Sequence, residues 1–232
     1  MCQNSRESIN NFSLIENNLC HLQFELERGN RSYFRIAKES HQTLYRAMVE
    51  ALRRNANLDI TGFQTRDRTH IYKMGDEPVK TIHKTEVDGC KKAWRFSEPE
   101  LCEPPKMDYN KSEIPPSSDY LIHFYDLLAM IQTEDFMKRM VYSQPVKITD
   151  NEMRSLEWLH ECIRNRYEHF VPGSYSAPKR DLIDVSILCI EKSIELIYGP
   201  GDVIPSLAPE NLKTLFENVR IKLNELLEEQ NL

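Results

Sequence analysis

Apolar residues recur at three- and four-residue steps along much of this chain, and that spacing is the signature of amphipathic helices. The clearest stripe is Tyr33, Phe34, Ala37, Leu44, Ala47, Met48, Ala51 and Leu52. Gly29-Asn30 divides the first helical region into a helix near 12–27 and a longer one near 31–55, which closes on Arg53-Arg54-Asn55. Ser118-Asp119 can cap a helix running to about Met140, with Leu121, Phe124, Leu128 and Ile131 on one face. Thr149 and Glu152 have the spacing of a capping box, opening a helix that runs to about Phe170 and is stopped by Pro172-Gly173. A helix over 180–198 carries Leu182, Val185, Leu188/Cys189 and Ile194, and ends at Gly199-Pro200-Gly201. The last starts near Pro209 and buries Leu212, Leu215, Phe216, Val219, Leu223 and Leu226.

Residues 58–96 break this period. Runs at 58–61, 70–74 and 79–83 are short and rich in β-branched and aromatic residues, with Gly75-Asp76-Glu77-Pro78 as turn chemistry between the last two. Residues 97–118 hold five of the twelve prolines and read as a loop. The expected architecture is mainly α: an antiparallel helical bundle with a small β-hairpin or meander insertion. In chain order this gives N-terminal bundle helices over 1–57, the insertion and Pro-rich loop over 58–117, and the helical core over 118–232, all in one compact domain.

Composition limits the function. Only seven of 232 residues are glycine, which disfavours a Gly-rich phosphate loop. A net charge of −6 excludes a histone-like polycation. The charge is uneven: 28–54 carries seven Lys/Arg against two Glu, 66–95 carries eight against five acids, and 202–232 carries three against six. That pattern forms either an electropositive groove or solvated helix faces. No window is apolar enough for a membrane span, and MCQNSRESIN lacks the apolar core of a signal peptide. The six cysteines form no CxxC pair and no zinc spacing, so no metal and no cofactor is expected. Buried free thiols in a reducing cytoplasm are the ordinary reading of Cys162 and Cys189.

One constellation carries chemistry: Leu159-His160-Glu161-Cys162-Ile163-Arg164-Asn165-Arg166-Tyr167-Glu168-His169-Phe170-Val171-Pro172. Met153, Leu156, Leu159/His160, Ile163, Tyr167 and Phe170 form the core stripe. Asn165 and His169 lie one turn apart, off that stripe, and Arg164 can swing toward them. Arg35…His41 and Arg154…His160 also fit a bare Arg-to-His spacing. They lack the Asn after the Arg and the helix-end position.

The run Arg164-Asn165…His169-Phe170-x-Pro172 resembles the HEPN superfamily (higher eukaryotes and prokaryotes nucleotide-binding), whose mark is Arg, often followed by Asn, with His four to six residues on. The resemblance covers roughly 118–200. It implies an all-α bundle with the motif at the end of an inner helix. It also implies a metal-independent endoribonuclease whose homodimer faces two motifs onto one cleft, often in toxin–antitoxin or phage-defence systems with an antitoxin or regulatory partner. Carried onto this chain, Arg164, Asn165 and His169 are the catalytic set, and RNA is the substrate. His169-Phe170-Val171 stands where one toxin subclass has His-x-Tyr, so that subclass is set aside.

The residue types suit that chemistry. An imidazole titrates near neutrality and serves as general base or acid for His169. A guanidinium at Arg164 binds phosphate oxygens in a fork and stabilises developing charge. Asn165 orients the His or the phosphate. Arg166, Tyr167, Tyr175, Lys179 and Arg180 are the candidate RNA contacts, the tyrosines through base stacking. The competing reading is structural: Arg164 pairs with Glu161 or Glu168, His169 caps the last carbonyls of its helix, and the chain is a non-catalytic helical interaction or dimerisation module.

Overall fold

The computed structural model describes residues 11–56, 124–132, 134–137, 144–165, 176–199 and 208–230, and five short strands between 61 and 121. For the strands, 53–56 and 135–136 it describes backbone alone. The fold is mainly helical. The helices are α1 (Asn11–Glu27), α2 (Tyr33–Ala56), α3 (Phe124–Ile131), α4 (Glu134–Met137), α5 (Asp150–Trp158), α6 (Lys179–Tyr198) and α7 (Glu210–Glu229), with a π-helical continuation of α5 over Leu159–Arg164. The chain divides into two compact units, Met1–Glu50 with Val146–Leu232, and Ala51–Pro145. These divisions fall elsewhere than the 57/58 and 117/118 boundaries read from composition, and they group α3 and α4 with the segment read as an insertion.

In the first unit the expected stripes are the core. Ala37, Leu44, Ala47 and Met48 of α2 are fully buried, as are Ile15, Leu19 and Leu22 of α1. Leu212, Phe216, Val219, Leu223 and Leu226 of α7 are buried too. Glu16 bonds Asn211 and Glu27 pairs with Lys222. Both pairs are 195 residues apart, so α1 and α7 run parallel. The turn between α1 and α2 is closed by buried Glu25, which accepts from the Ser32 amide at 2.6 Å and from Arg28 at 3.0 Å, with Arg35 at 3.5 Å. The capping box is formed: Thr149 N–H donates to Glu152 Oε2 at 2.7 Å, and Glu152 N–H donates to Thr149 Oγ1 at 3.3 Å. Lys192 of α6 reaches the same Glu152 at 3.3 Å and the Lys147 carbonyl at 2.8 Å, tying the start of α5 to α6. Helix α6 ends at Gly199, where an added Cβ would collide with the Glu195 carbonyl oxygen.

In the second unit, β1 (Thr61–Gln64), β2 (His70–Met74), β3 (Glu77–Lys80), β4 (Glu100–Leu101) and β5 (Tyr120–Leu121) pair antiparallel in the order β4-β3-β2-β1-β5. Glu77 and Pro78, read from sequence as part of a turn, pair with Met74 and Lys73 in β3. β4 pairs β3 only at Val79 and Lys80, so Pro78 stands beyond that ladder, where its missing N–H costs little. The helix expected from 118 begins instead at Phe124, because Tyr120 and Leu121 are taken by strand pairing with Gly62 and Thr61. All of α3 except Asp126 is buried, so its all-round apolar sequence is that of an interior helix.

Of the helix expected from 149 to about 170, Asp150–Trp158 is α-helical, and residues 166–170 lie outside the described residues. Over Leu159–Arg164 the turns widen, and the Asn165 N–H donates to the His160 carbonyl, five residues back. Its apolar stripe still points inward, with Leu156 and Leu159 fully buried and Ile163 at 1 % exposure.

Candidate functional site

The site grows from this widened end of α5. Five-residue hydrogen bonding is rare, and where it interrupts an α-helix it is frequently found at functional sites. Here it sets His160, Arg164 and Asn165 around one turn. Arg164 Nη1 donates to Asn165 Oδ1 at 2.8 Å, and Asn165 Nδ2 donates to Glu161 Oε2 at 3.3 Å. Asn165 therefore stands as a polar bridge between the guanidinium and a carboxylate. Both Arg164 and Asn165 are half-buried. This places the Asn after the Arg in contact with it, in the role of holding the guanidinium.

On the same turn, His160 Nδ1 lies 3.0 Å from Nε2 of His41 on α2. The two rings stand 5.1 Å apart between centroids, tilted by 32°. His41 is buried, at 3 % exposure, and His160 is half-buried. Burial, with the neighbouring His160 and the Arg164 guanidinium, holds the His41 imidazole well below the usual histidine range. His41 is thus neutral at pH 7, and Arg164 is close enough for its charge to be felt there.

By sequence, His41 and His160 only match the bare Arg-to-His spacing, after Arg35 and Arg154. The structure brings these two together. The missed signal is their register. His41 follows Ala37 by four residues and precedes Leu44 by three, so it lies on the apolar stripe of α2, and His160 lies on that of α5. Two histidines on two inward faces are candidates for each other.

The other expected residues divide three ways. Arg164 and Asn165 are joined as described. Lys179 and Arg180 open α6 on the exposed surface: the Lys179 ammonium lies 5.1 Å from the Tyr33 ring centroid, and Arg180 pairs with Asp184 at 3.8 Å. His169, Arg166, Tyr167 and Tyr175 lie outside the described residues.

The basic stretch 28–54 is largely neutralised where its side chains are described. Arg28 and Arg35 meet Glu25, Arg31 meets Glu229 at 3.7 Å, and Lys38 meets Glu39 at 3.5 Å. The acidic C-terminal helix supplies one of these partners. This portion of the basic stretch is an ion-paired helix face rather than an open electropositive groove.

Among the described residues no group of three or more His, Cys, Asp or Glu is arranged to hold a metal ion. Among them, too, no helix is long and apolar enough to cross a membrane. Cys189 is buried, its thiol pushed far up by desolvation, and Cys162 is half-buried; Cys20 is exposed. No family model, curated protein or solved structure matches the chain.

Proposed function

We propose that this protein is a metal-independent endoribonuclease of the HEPN type, acting as a cytoplasmic homodimer in a toxin–antitoxin or phage-defence setting. The observation that carries the reading is the Arg164–Asn165–Glu161 chain on the π-widened end of α5. It provides a fixed guanidinium beside imidazole groups, which is what phosphodiester cleavage by an internal nucleophile requires.

The reaction is balanced without a co-reactant. The ribose 2′-hydroxyl loses its proton to a base, and O2′ forms a bond to phosphorus. The P–O5′ bond breaks, and O5′ takes a proton from an acid. The products are a 2′,3′-cyclic phosphate and a 5′-hydroxyl. Arg164 stabilises the charge on the non-bridging oxygens during transfer. His169 serves as acid or base, as the resemblance implies.

The test is incubation of the purified protein with RNA in EDTA. Cleavage that falls about 10²–10⁴-fold in His169→Ala, with the thermal melt unchanged, supports the reading. Equal cleavage by that variant contradicts it. A second reading, a non-catalytic helical interaction module, is favoured by the ion pairs that cover the start of α2. It expects no cleavage by either protein.

A further inference from the structure

We propose that the outer face of the α1–α7 pair is a docking surface for a second copy of this chain, with Phe24 and Ile221 at its centre. This names the contact surface of the homodimer proposed above and rests on that part of the reading alone.

Among the described residues, two large apolar side chains stand mostly exposed, Phe24 at 64 % and Ile221 at 52 %. Scattered singly, such residues need no explanation. These two are not scattered. Phe24 lies between buried Leu22 and Leu26, and Ile221 between buried Val219 and Leu223. On a helix, a residue two steps from core residues on either side points away from the core. α1 and α7 lie side by side and parallel, with Glu16 bonded to Asn211 and Glu27 to Lys222. That offset puts Phe24 level with Val219, and Ile221 about 3 Å further along. The two apolar groups therefore form one patch across neighbouring helices.

The surroundings select the occupant. Asn17, Cys20 and His21 share the exposed side of α1 with Phe24, and none is Asp, Glu, Lys or Arg. Charged residues are depleted in the same way at the centre of protein interfaces. On α7, Lys213 stands eight residues before Ile221 and Glu228 seven after it, both exposed. Within one copy no described carboxylate pairs with Lys213, which lies 5.8 Å from the Tyr198 ring centroid, and no described cation pairs with Glu228. A twofold axis across α7 at Ile221 lays the second α7 antiparallel on the first. Ile221 then meets its own copy, and Phe24 comes within about one turn of its own. Lys213 of each copy faces Glu228 of the other, so the contact is made twice. The patch complements itself, as a twofold interface requires.

The test is sedimentation of the full chain across the micromolar range, with thermal melts to check folding. The wild type is expected to dimerise. Phe24→Asp and Ile221→Asp, both at exposed positions, are each expected to weaken the dimer about tenfold or more. Lys213→Glu and Glu228→Lys are each expected to weaken it about fivefold, because like charges then meet at both contacts. An equimolar mixture of those two variants is expected to recover wild-type affinity, since each offers the other the opposite charge at both contacts. A dimer that neither Phe24→Asp nor Ile221→Asp weakens, or charge variants whose mixture pairs no better than either alone, overturns the inference and leaves the homodimer standing on another surface. A wild-type monomer throughout overturns both, and the face then receives a different protein or none.

Discussion

His41 Nε2 lies 3.0 Å from His160 Nδ1 across 119 residues of sequence, joining the long N-terminal helix to the widened end of α5. A hydrogen bond to a buried side chain fixes how two faces register, because a lost partner leaves a desolvated group behind. The contact thus ties the fold of α2 to the geometry of the turn that bears Arg164.

That contact makes stability depend on pH in a defined window. Folded His41 resists protonation, whereas the unfolded chain takes that proton near pH 6.5. Below that value the unfolded state binds more protons, so stability is whole above about pH 6.5 and declines as the pH falls toward the depressed folded value. The slope is up to about 1.4 kcal/mol per pH unit. Urea midpoints at pH 7.5 and 5.5 should differ more in the wild type than in His41→Gln, which has no proton to gain. Equal differences would count against a neutral buried His41.

Glu25 anchors the turn between α1 and α2. Burial works to raise its pKa, but the Ser32 amide and the Arg28 and Arg35 guanidiniums outweigh it and hold the carboxyl below its usual range. Glu25→Ala strips the partner from all three and should cost about 2–3 kcal/mol in urea unfolding. Arg28→Ala, at a side chain 41 % exposed, should cost less than about 1 kcal/mol. A cost for Arg28→Ala as large as that for Glu25→Ala would contradict this division.

Gly29 and Gly199 should respond differently to a methyl group. At Gly199 the new Cβ runs into the backbone oxygen of Glu195, which cannot give way as a side-chain tip can. Gly199→Ala should cost about 1–3 kcal/mol. At Gly29 nothing lies within 4 Å, so Gly29→Ala should stay within about 0.5 kcal/mol of the wild type. Thermal melts of the two variants side by side check the contrast.

Much of the helical fold was legible because its signals are local. The stripe Ala37, Leu44, Ala47, Met48, the Gly29-Asn30 break and the Thr149…Glu152 box each act within a turn or two, and each reappears as burial, a chain break or a pair of hydrogen bonds. The start of α3 was misplaced because Tyr120 and Leu121 obey a partner strand sixty residues earlier, which no helical period records. The π-widening at 159–164 was hidden for a related reason: nothing in the composition of that segment separates it from an α-helix. At the site, the adjacency of Arg164 and Asn165 was legible from their order. The meeting of His41 and His160 was not, since it depends on how two distant helices pack.

The proposed role of Arg164, stabilising phosphodiester cleavage without a metal, is decided by the rate of RNA cleavage in EDTA for the wild type against Arg164→Ala and Arg164→Lys, with the new RNA ends identified by mass. Cleavage should leave 2′,3′-cyclic phosphate ends and fall about 10²–10³-fold in Arg164→Ala. Arg164→Lys should recover little of it, since an ammonium cannot reproduce the guanidinium fork. Wild-type cleavage rates in Arg164→Ala, or no cleavage by the wild type at all, would contradict it.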